Sequence, residues 1–260
     1  MRQIAVMNQK GGSGKTTTAV NLAAALGEKG KRVLLIDLDP QASASNWFGV
    51  KDGGRGLLEV FTDGRPLAPL AQATCAKGVE LVPSSTWLVG VDRALASEPG
   101  SEAILRRALE RLPERWDLVL VDCPPSLGLL AVAALAACGE VLVPVETRVM
   151  ALAGLASLVQ TVDRVRDRLN PELRIAGLLP CRVDARTRLS HDVVETLRER
   201  FGADVFRTVV RENVRLAEAP SFCKPITIYD PRSAGAEDYR DAAAELLKRE
   251  KHAQRKQRKH

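Results

Sequence analysis

Short aliphatic runs recur along the chain: Arg2 to Asn8, Arg32 to Asp37, Val79 to Pro83, Leu118 to Cys123, Glu140 to Val145 and Arg174 to Leu179. They are apolar throughout rather than alternating, which predicts strands buried on both faces. Between them apolar residues return at helical spacing over Lys15 to Gly30, Glu102 to Leu112, Leu127 to Ala137, Ala151 to Leu169 and His191 to Phe201. A last helix is expected from near Gly235 through Tyr239, Ala242, Ala243, Leu246 and Leu247. The first 37 residues already read as a βαβ unit, whose right-handed crossover requires parallel strands. The pattern as a whole predicts an α/β fold with a doubly wound, mostly parallel sheet and helices on both faces.

Lys51 to Ala76, rich in glycine, proline and short polar residues, interrupts this regularity and reads as a surface excursion. No long linker and no tandem repeat divides the chain. Residues 1–250 are therefore expected to form one domain and 251–260 a basic, disordered tail. Apolar residues make up 45% and aromatics only 4%, so aliphatic side chains must fill the core. No apolar run approaches the roughly 20 residues that span a bilayer, and no signal peptide is evident, which points to the cytoplasm.

The net charge of +6 is local. Seven of the 38 basic residues lie between Lys248 and His260, against Glu250 alone, leaving 31 basic and 31 acidic residues elsewhere. The five cysteines (Cys75, Cys123, Cys138, Cys181 and Cys223) are scattered, with no C-x-x-C and no histidine at ligand spacing, and so give no zinc or disulfide framework.

Chemistry concentrates where the first strand meets the first helix, at Gln9-Lys10-Gly11-Gly12-Ser13-Gly14-Lys15-Thr16-Thr17. Glycines between a strand and a helix N-terminus let backbone N–H groups surround an oxyanion, helped by the helix dipole. Lys15 supplies a cation to the β- and γ-phosphates, and Thr16 a hydroxyl to Mg²⁺. The pattern G-x-x-x-x-G-K-[ST] wants glycine where Gln9 stands, and the loop carries an extra lysine, Lys10. A dinucleotide fingerprint fits less well, because Thr17 stands where its third glycine belongs.

The run from Lys10 to Thr17 resembles the deviant Walker A motif of the ParA/MinD-type P-loop ATPases. That resemblance implies that ATP and Mg²⁺ are bound by Gly11, Gly12, Ser13, Gly14, Lys15, Thr16 and Thr17, and that Lys10 reaches the partner's phosphates in a nucleotide-sandwich homodimer. Asp37-Leu38-Asp39-Pro40-Gln41 is similar to the family's first switch, which implies that Asp39 orients the attacking water and Asp37 supports the metal region. Leu118 to Asp122 with Cys123-Pro124-Pro125-Ser126 matches its Walker B strand and second switch, which implies that Asp122 holds Mg²⁺ through water. An aspartate ending a strand also caps helices, so the assignment leans on the neighbouring loop. The expected catalytic groups are then Lys10, Lys15 and Asp39.

Branches of that family sort DNA, position cargo at membranes, or carry iron–sulfur clusters. The chain ends without bulky apolar residues to insert into lipid, as a MinD-like anchor would. Cys123 and Cys138, the candidates for cluster ligands, sit in aliphatic contexts that suit small buried thiols. Asn213-Val214-Arg215-Leu216-Ala217-Glu218-Ala219-Pro220-Ser221, followed by Lys224-Pro225-Ile226 and Tyr229-Asp230-Pro231-Arg232-Ser233, resembles the carboxyl-terminal signature of Soj/ParA partitioning proteins. This resemblance implies ATP-dependent binding to nonspecific double-stranded DNA through Arg186, Arg215, Lys224, Lys248 and Arg249. It also implies hydrolysis stimulated by a ParB-like partner, nucleoid association and no membrane partner. MinD-like or other cargo positioning is the alternative, with iron–sulfur carriage behind it. The sequence departs from the family at Arg211-Glu212, which bears on adenine contacts, at Glu146, where glutamine is frequent, and at Asn46-Trp47-Phe48. Trp47 and Phe48 suit packing or a partner contact, and the basic tail suits an added DNA contact or a solubilising end.

Overall fold

The computed structural model describes residues 1–95, 97–148 and 151–257, with only the backbone course given for 151–153 and 251–257. Eight strands make one sheet: β1 (Arg2–Val6), β2 (Val33–Asp37), β3 (Gln72–Ala73), β4 (Val79–Val82), β5 (Leu118–Asp122), β6 (Glu140–Glu146), β7 (Arg174–Val183) and β8 (Val210–Arg211). Their order is β3-β4-β2-β5-β1-β6-β7-β8, and every neighbouring pair is parallel except β3 with β4. The expected doubly wound α/β architecture is therefore the one observed. The two-residue edge strands β3 and β8 were not expected, since so short a segment carries no periodicity.

The period of two along each strand divides the core. In β1, Ile4 and Val6 face one apolar cluster while Ala5 faces the other, and in β2 Val33 and Leu35 oppose Leu34 and Ile36. One face is covered by α1 (Lys15–Glu28), together with the short α2 (Ser43–Trp47). The other carries α3 (Gly56–Thr62), α4 (Val91–Ala94), α5 (Ile104–Glu110), α6 (Leu129–Ala137), α7 (Ala151–Arg168) and α8 (Arg188–Phe201). The chain closes on the first face with α9 (Val214–Glu218), α10 (Ile226–Tyr229) and α11 (Ala234–Gln257). Leu216, Ile226, Tyr239, Ala242, Ala243 and Leu246 there pack with Ala19, Leu22, Ala23 and Leu26 of α1.

Two expectations change. Lys51 to Ala76 is no mere surface excursion, because α3 buries Leu57, Leu58, Val60 and Phe61, and Leu67 follows them inward. These residues have helical spacing, but the glycines before them and Gly64 and Pro66 after them hide it. The last helix, expected to lose its apolar face after Leu247, continues to Gln257, and residues 258–260 of the anticipated tail lie outside the described residues. Among the described residues, no helix is long and apolar enough to cross a membrane.

Because Phe61 is 2% exposed and belongs to the core beneath β2 and β4, Phe61→Ala is expected to cost about 3 kcal/mol in urea denaturation. A cost below about 0.5 kcal/mol, as surface changes give, would return this segment to the surface.

Candidate functional site

The order of the strands leaves β1 between β5 and β6, so successive crossovers depart from it to opposite sides. The carboxyl end of such a strand is where α/β sheets open a crevice for ligands. The loop from Asn8 to Gly14 emerges there. Gly12 and Gly14 adopt φ of 73° and 88°, a left-handed conformation that a side chain disfavours. Gly14 is also the N-cap of α1, whose first turn holds no acidic residue, so the positive end of the helix is left to an anion. A Cβ at Gly11 or Gly12 would meet nothing within 4 Å, so these glycines border open space.

Behind the loop lies a dry floor. Asp37 and Asp122 end adjacent strands in direct register, both fully buried. Asp37 Oδ2 accepts from the Ser45 backbone N–H at 2.7 Å and from its hydroxyl at 2.6 Å, and Oδ1 accepts from Asp39 N–H at 3.3 Å. Neither oxygen of Asp122 has a hydrogen-bond partner, and Ser13 Oγ in the loop is likewise buried and unpartnered. Burial pushes the Asp37 carboxyl up to about 6, against the pull of the Ser45 hydrogen bonds. Burial first, and the neighbouring Asp37 second, push Asp122 well above the ordinary carboxylate range, with Thr16 and Lys15 opposing. Lys15 is 7% exposed, and burial lowers its pKa while Asp122 and Asp39 oppose. Its Nζ donates to the Lys10 carbonyl oxygen at 3.3 Å.

The first switch is clamped from several sides. Asp39 Oδ1 accepts from Gln41 N–H at 3.0 Å, and the Ser84 hydroxyl donates to the Asp39 carbonyl at 2.6 Å. Ser45 Oγ in turn accepts from Ser84 N–H at 2.8 Å. Trp47 is 5% exposed and donates its indole N–H to the Lys224 carbonyl at 2.9 Å, so it packs. Asn21, on α1, donates to the Thr17 carbonyl at 2.7 Å and accepts from Ile226 N–H at 2.7 Å. Nothing in the sequence singles out Asn21, Ser45 or Ser84, because each has a partner remote in the chain: Ile226 for Asn21, Ser84 for Ser45 and Asp39 for Ser84.

The loop and Asp39 form one wall of a cleft of about 1110 Å³. Its other wall is the segment after β7, from Arg182 to Arg186, with Val210 to Val214, Leu216, Ala217 and Tyr239. Lys10 does not line this cleft: its ammonium donates to Glu146 at 2.9 Å. Arg211, at the departure flagged above, binds Asp238 at 2.6 and 2.9 Å and Glu237 at 2.8 Å, bracing the wall against α11.

The expected DNA-contacting residues divide into two groups. Arg186 stands at the cleft with its side chain 88% exposed, paired to Asp184, and Arg215 lies in α9, whose Val214, Leu216 and Ala217 line the same cleft, paired to Glu218 at 2.9 Å and Asp230 at 3.6 Å. Lys224 follows in the turn held by Trp47. Lys248 and Arg249 instead line a groove with Arg2, Glu140 and Arg174, at the amino ends of β1, β6 and β7. With β7 ten residues long, the two groups stand on the order of 30 Å apart at about 3.3 Å per residue. Arg249 is also occupied, donating to the Ala203 and Val205 carbonyls at 2.9 and 2.6 Å and to Glu245 at 2.9 Å, and lying over Phe206.

The cysteines stay thiols. Cys123, Cys138 and Cys181 are buried, which pushes Cys138 and Cys181 up to about 12 and Cys123 well above the ordinary thiol range. Among the described residues, no three His, Cys, Asp or Glu side chains gather as a metal cage.

Comparison with known proteins agrees with this geometry. A family model described as AAA domain matches residues 1–175. The sporulation initiation inhibitor protein Soj of Bacillus subtilis is 44% identical over 245 residues, covering 94% of this chain and 97% of that one. The chromosome-partitioning ATPase Soj of Thermus thermophilus is 48% identical over 249 residues, covering 96% of each chain. A Mycobacterium smegmatis protein named cobyrinic acid a,c-diamide synthase, solved with an ATP analogue and magnesium, superposes with a TM-score of 0.85 at 34% identity, covering 96% of each chain. Near-full-length identity above 40% to the partitioning proteins, together with the deviant phosphate loop, shows that this chain belongs to the Soj/ParA family of chromosome-partitioning ATPases.

Proposed function

We propose that this chain is a Mg²⁺-dependent ATPase that closes into a homodimer on ATP, binds duplex DNA without sequence preference as that dimer, and is released when a ParB-like partner stimulates hydrolysis. The observation that carries this reading is the buried Asp122 carboxylate, both oxygens unpartnered, at the floor of a glycine-lined loop beside Lys15. Such a group is costly to leave alone and calls for a cation. The donors fit Mg²⁺. Asp122 and the Thr16 hydroxyl would hold it, and a hard ion that completes its octahedron with phosphate oxygens and water needs no all-protein cage. Asp37, its oxygens committed to Ser45 and Asp39, would support the region rather than ligate. When bound, Mg²⁺ would offset the charge of the phosphates and polarise them.

The protein groups then have separable tasks. N–H groups of Gly11 to Thr16 and the ammonium of Lys15 bind the phosphates, while Thr17 and Ser13 complete the loop. The Asp39 carboxylate, fixed through Gln41 and Ser84, orients the attacking water. Lys10 lends its charge to the nucleotide of the other subunit, as an arginine finger does elsewhere. Arg186, Arg215 and Lys224 meet DNA phosphates at the nucleotide end, and Lys248 adds charge from the far end. Positioning and charge carry the chemistry. With no strong general base beside Asp39, unstimulated turnover is slow.

Retention on arbitrary duplex DNA is expected only with ATP, and Lys10→Ala or Arg215→Ala should abolish it in a filter or biolayer assay. Retention should also fall steeply with salt, as counterion release requires; if both variants bind like the parent, the site assignment fails. Asp39→Ala should keep ATP-dependent pairing while slowing phosphate release about 100-fold or more, and normal turnover would remove Asp39 from the chemistry. A third measurement concerns Asp122 without nucleotide or divalent ion. Because its folded pKa lies above its unfolded one, its contribution is fully present at low pH and is lost as pH rises through the folded value. Relative to Asp122→Asn, the parent should therefore lose melting temperature in EDTA as pH rises above the ordinary carboxylate range. Parallel curves would mean that the carboxylate is hydrated.

A further inference from the structure

Glu146 ends β6 in register with Cys181 of β7, and the next residue, Thr147, donates its N–H to the Cys181 carbonyl at 3.1 Å. The sheet therefore fixes the carboxylate, which is 4% exposed. Three cations reach it from the rim: Lys10 Nζ at 2.9 Å to one oxygen, and Arg148 Nε and Arg182 Nη1 at 3.0 and 3.1 Å to the other. Their side chains are 37%, 61% and 45% exposed. Lys10 rides on a loop whose next two residues are glycines, and of the three cations it is the one that the proposed function sends to another subunit. Arg182 holds its place in a left-handed conformation, φ 53°, with its carbonyl accepting from the Thr147 hydroxyl at 3.1 Å.

We propose that Glu146 is the resting dock of Lys10, a positioning residue that keeps this ammonium on its own subunit until the phosphates of a second subunit draw it away. The inference rests on the reading of Lys10 as a cation lent across the dimer, and it adds a threshold to that reading. A buried carboxylate stripped of its only cation would be left with an uncompensated charge. Here Arg148 and Arg182 stay behind, so the lysine can leave without orphaning Glu146. The charge of the dock, and the two arginines that share it, together set how much ATP is needed before subunits pair. A glutamine in its place would hold the ammonium through a neutral acceptor, roughly half as strongly as a charged one.

The test is sedimentation of the full chain over a series of concentrations of a nonhydrolysable ATP analogue with Mg²⁺. Glu146→Gln, nearly isosteric, should lower the half-maximal concentration for pairing about tenfold, one charged hydrogen bond per subunit having become neutral. Arg148→Ala, at an exposed position, removes a competitor for the carboxylate and should raise that concentration several-fold. A merely structural ion cluster would not give shifts of opposite sign. In a Lys10→Ala background neither substitution should move whatever pairing remains. If Lys10→Ala abolishes pairing while Glu146→Gln leaves the threshold unchanged or raises it, the dock is refuted and the role of Lys10 stands. If Lys10→Ala pairs like the parent, the reading of Lys10 fails and the dock falls with it.

Discussion

Two carboxylates with almost no access to water, side by side at the ends of adjacent strands, govern the carboxyl edge of this sheet. Like charges so placed cannot both ionise cheaply, and burial compounds the penalty, which is why both Asp37 and Asp122 are displaced upward. The fold resolves the conflict unequally. Asp37 receives three hydrogen bonds and becomes the peg on which the first switch hangs, whereas Asp122 receives none and is left for a ligand. The division of labour between the two thus follows from hydrogen-bond supply, since residue type and strand position are the same.

From that floor, contacts run outward to the carboxyl-terminal segment that carries Arg215 and Lys224. Asp37 holds Ser45, Ser45 accepts from Ser84, and Ser84 grips the Asp39 carbonyl, so Asp39 and the backbone that follows it are tied to one floor. Two residues further, Trp47 is tied to Lys224, while Asn21 joins the phosphate-loop helix to Ile226. The turn at Lys224–Ile226 is therefore pinned both by the helix that begins at the glycine-rich loop and by the segment that follows Asp39. Arg215, a few residues upstream in the same stretch, lies one short helix from that turn. Rigid contacts of this kind are the physical route by which a small shift at a nucleotide can alter a distant charged surface.

Much of this was legible in the chain because local rules determine it. Continuous aliphatic strands, helical periods and a glycine-rich loop each depend on neighbours within a few residues, and they located the fold and the loop around Lys15, whereas Asp37, Asp39 and Asp122 were singled out by resemblance to a family. Helix α3 was hidden because punctuating glycines and Pro66 outweighed the spacing of Leu57, Leu58, Val60 and Phe61. The docking of Lys10 on Glu146 was invisible for another reason: residues 136 positions apart meet only through sheet order. The sequence marked Glu146 as a departure and offered no partner for it. The oddity at Arg211 likewise acquires a cause only once Asp238 of α11 stands opposite.

The basic residues raise a question of distance. Helix α11 is 24 residues long, about 36 Å at 1.5 Å per residue. It begins beside the nucleotide end, where Asp238 holds Arg211 and Tyr239 meets Thr18 at 3.3 Å, and it passes Arg2 at the opposite end, where the Leu246 carbonyl accepts a guanidinium. Lys248 and Arg249 are thus carried to the far side from Arg186 and Arg215. Within one subunit, a duplex lying across the nucleotide end does not meet both groups unless it runs the length of the domain. The two sets of charge then differ in kind. Arg215 belongs to a segment fastened to the cleft, whereas Lys248 stands remote from it, so any attraction of Lys248 for phosphate would be governed by salt. On the proposed reading, a nucleotide-dependent hold on DNA falls to the first set, which lies by the cleft.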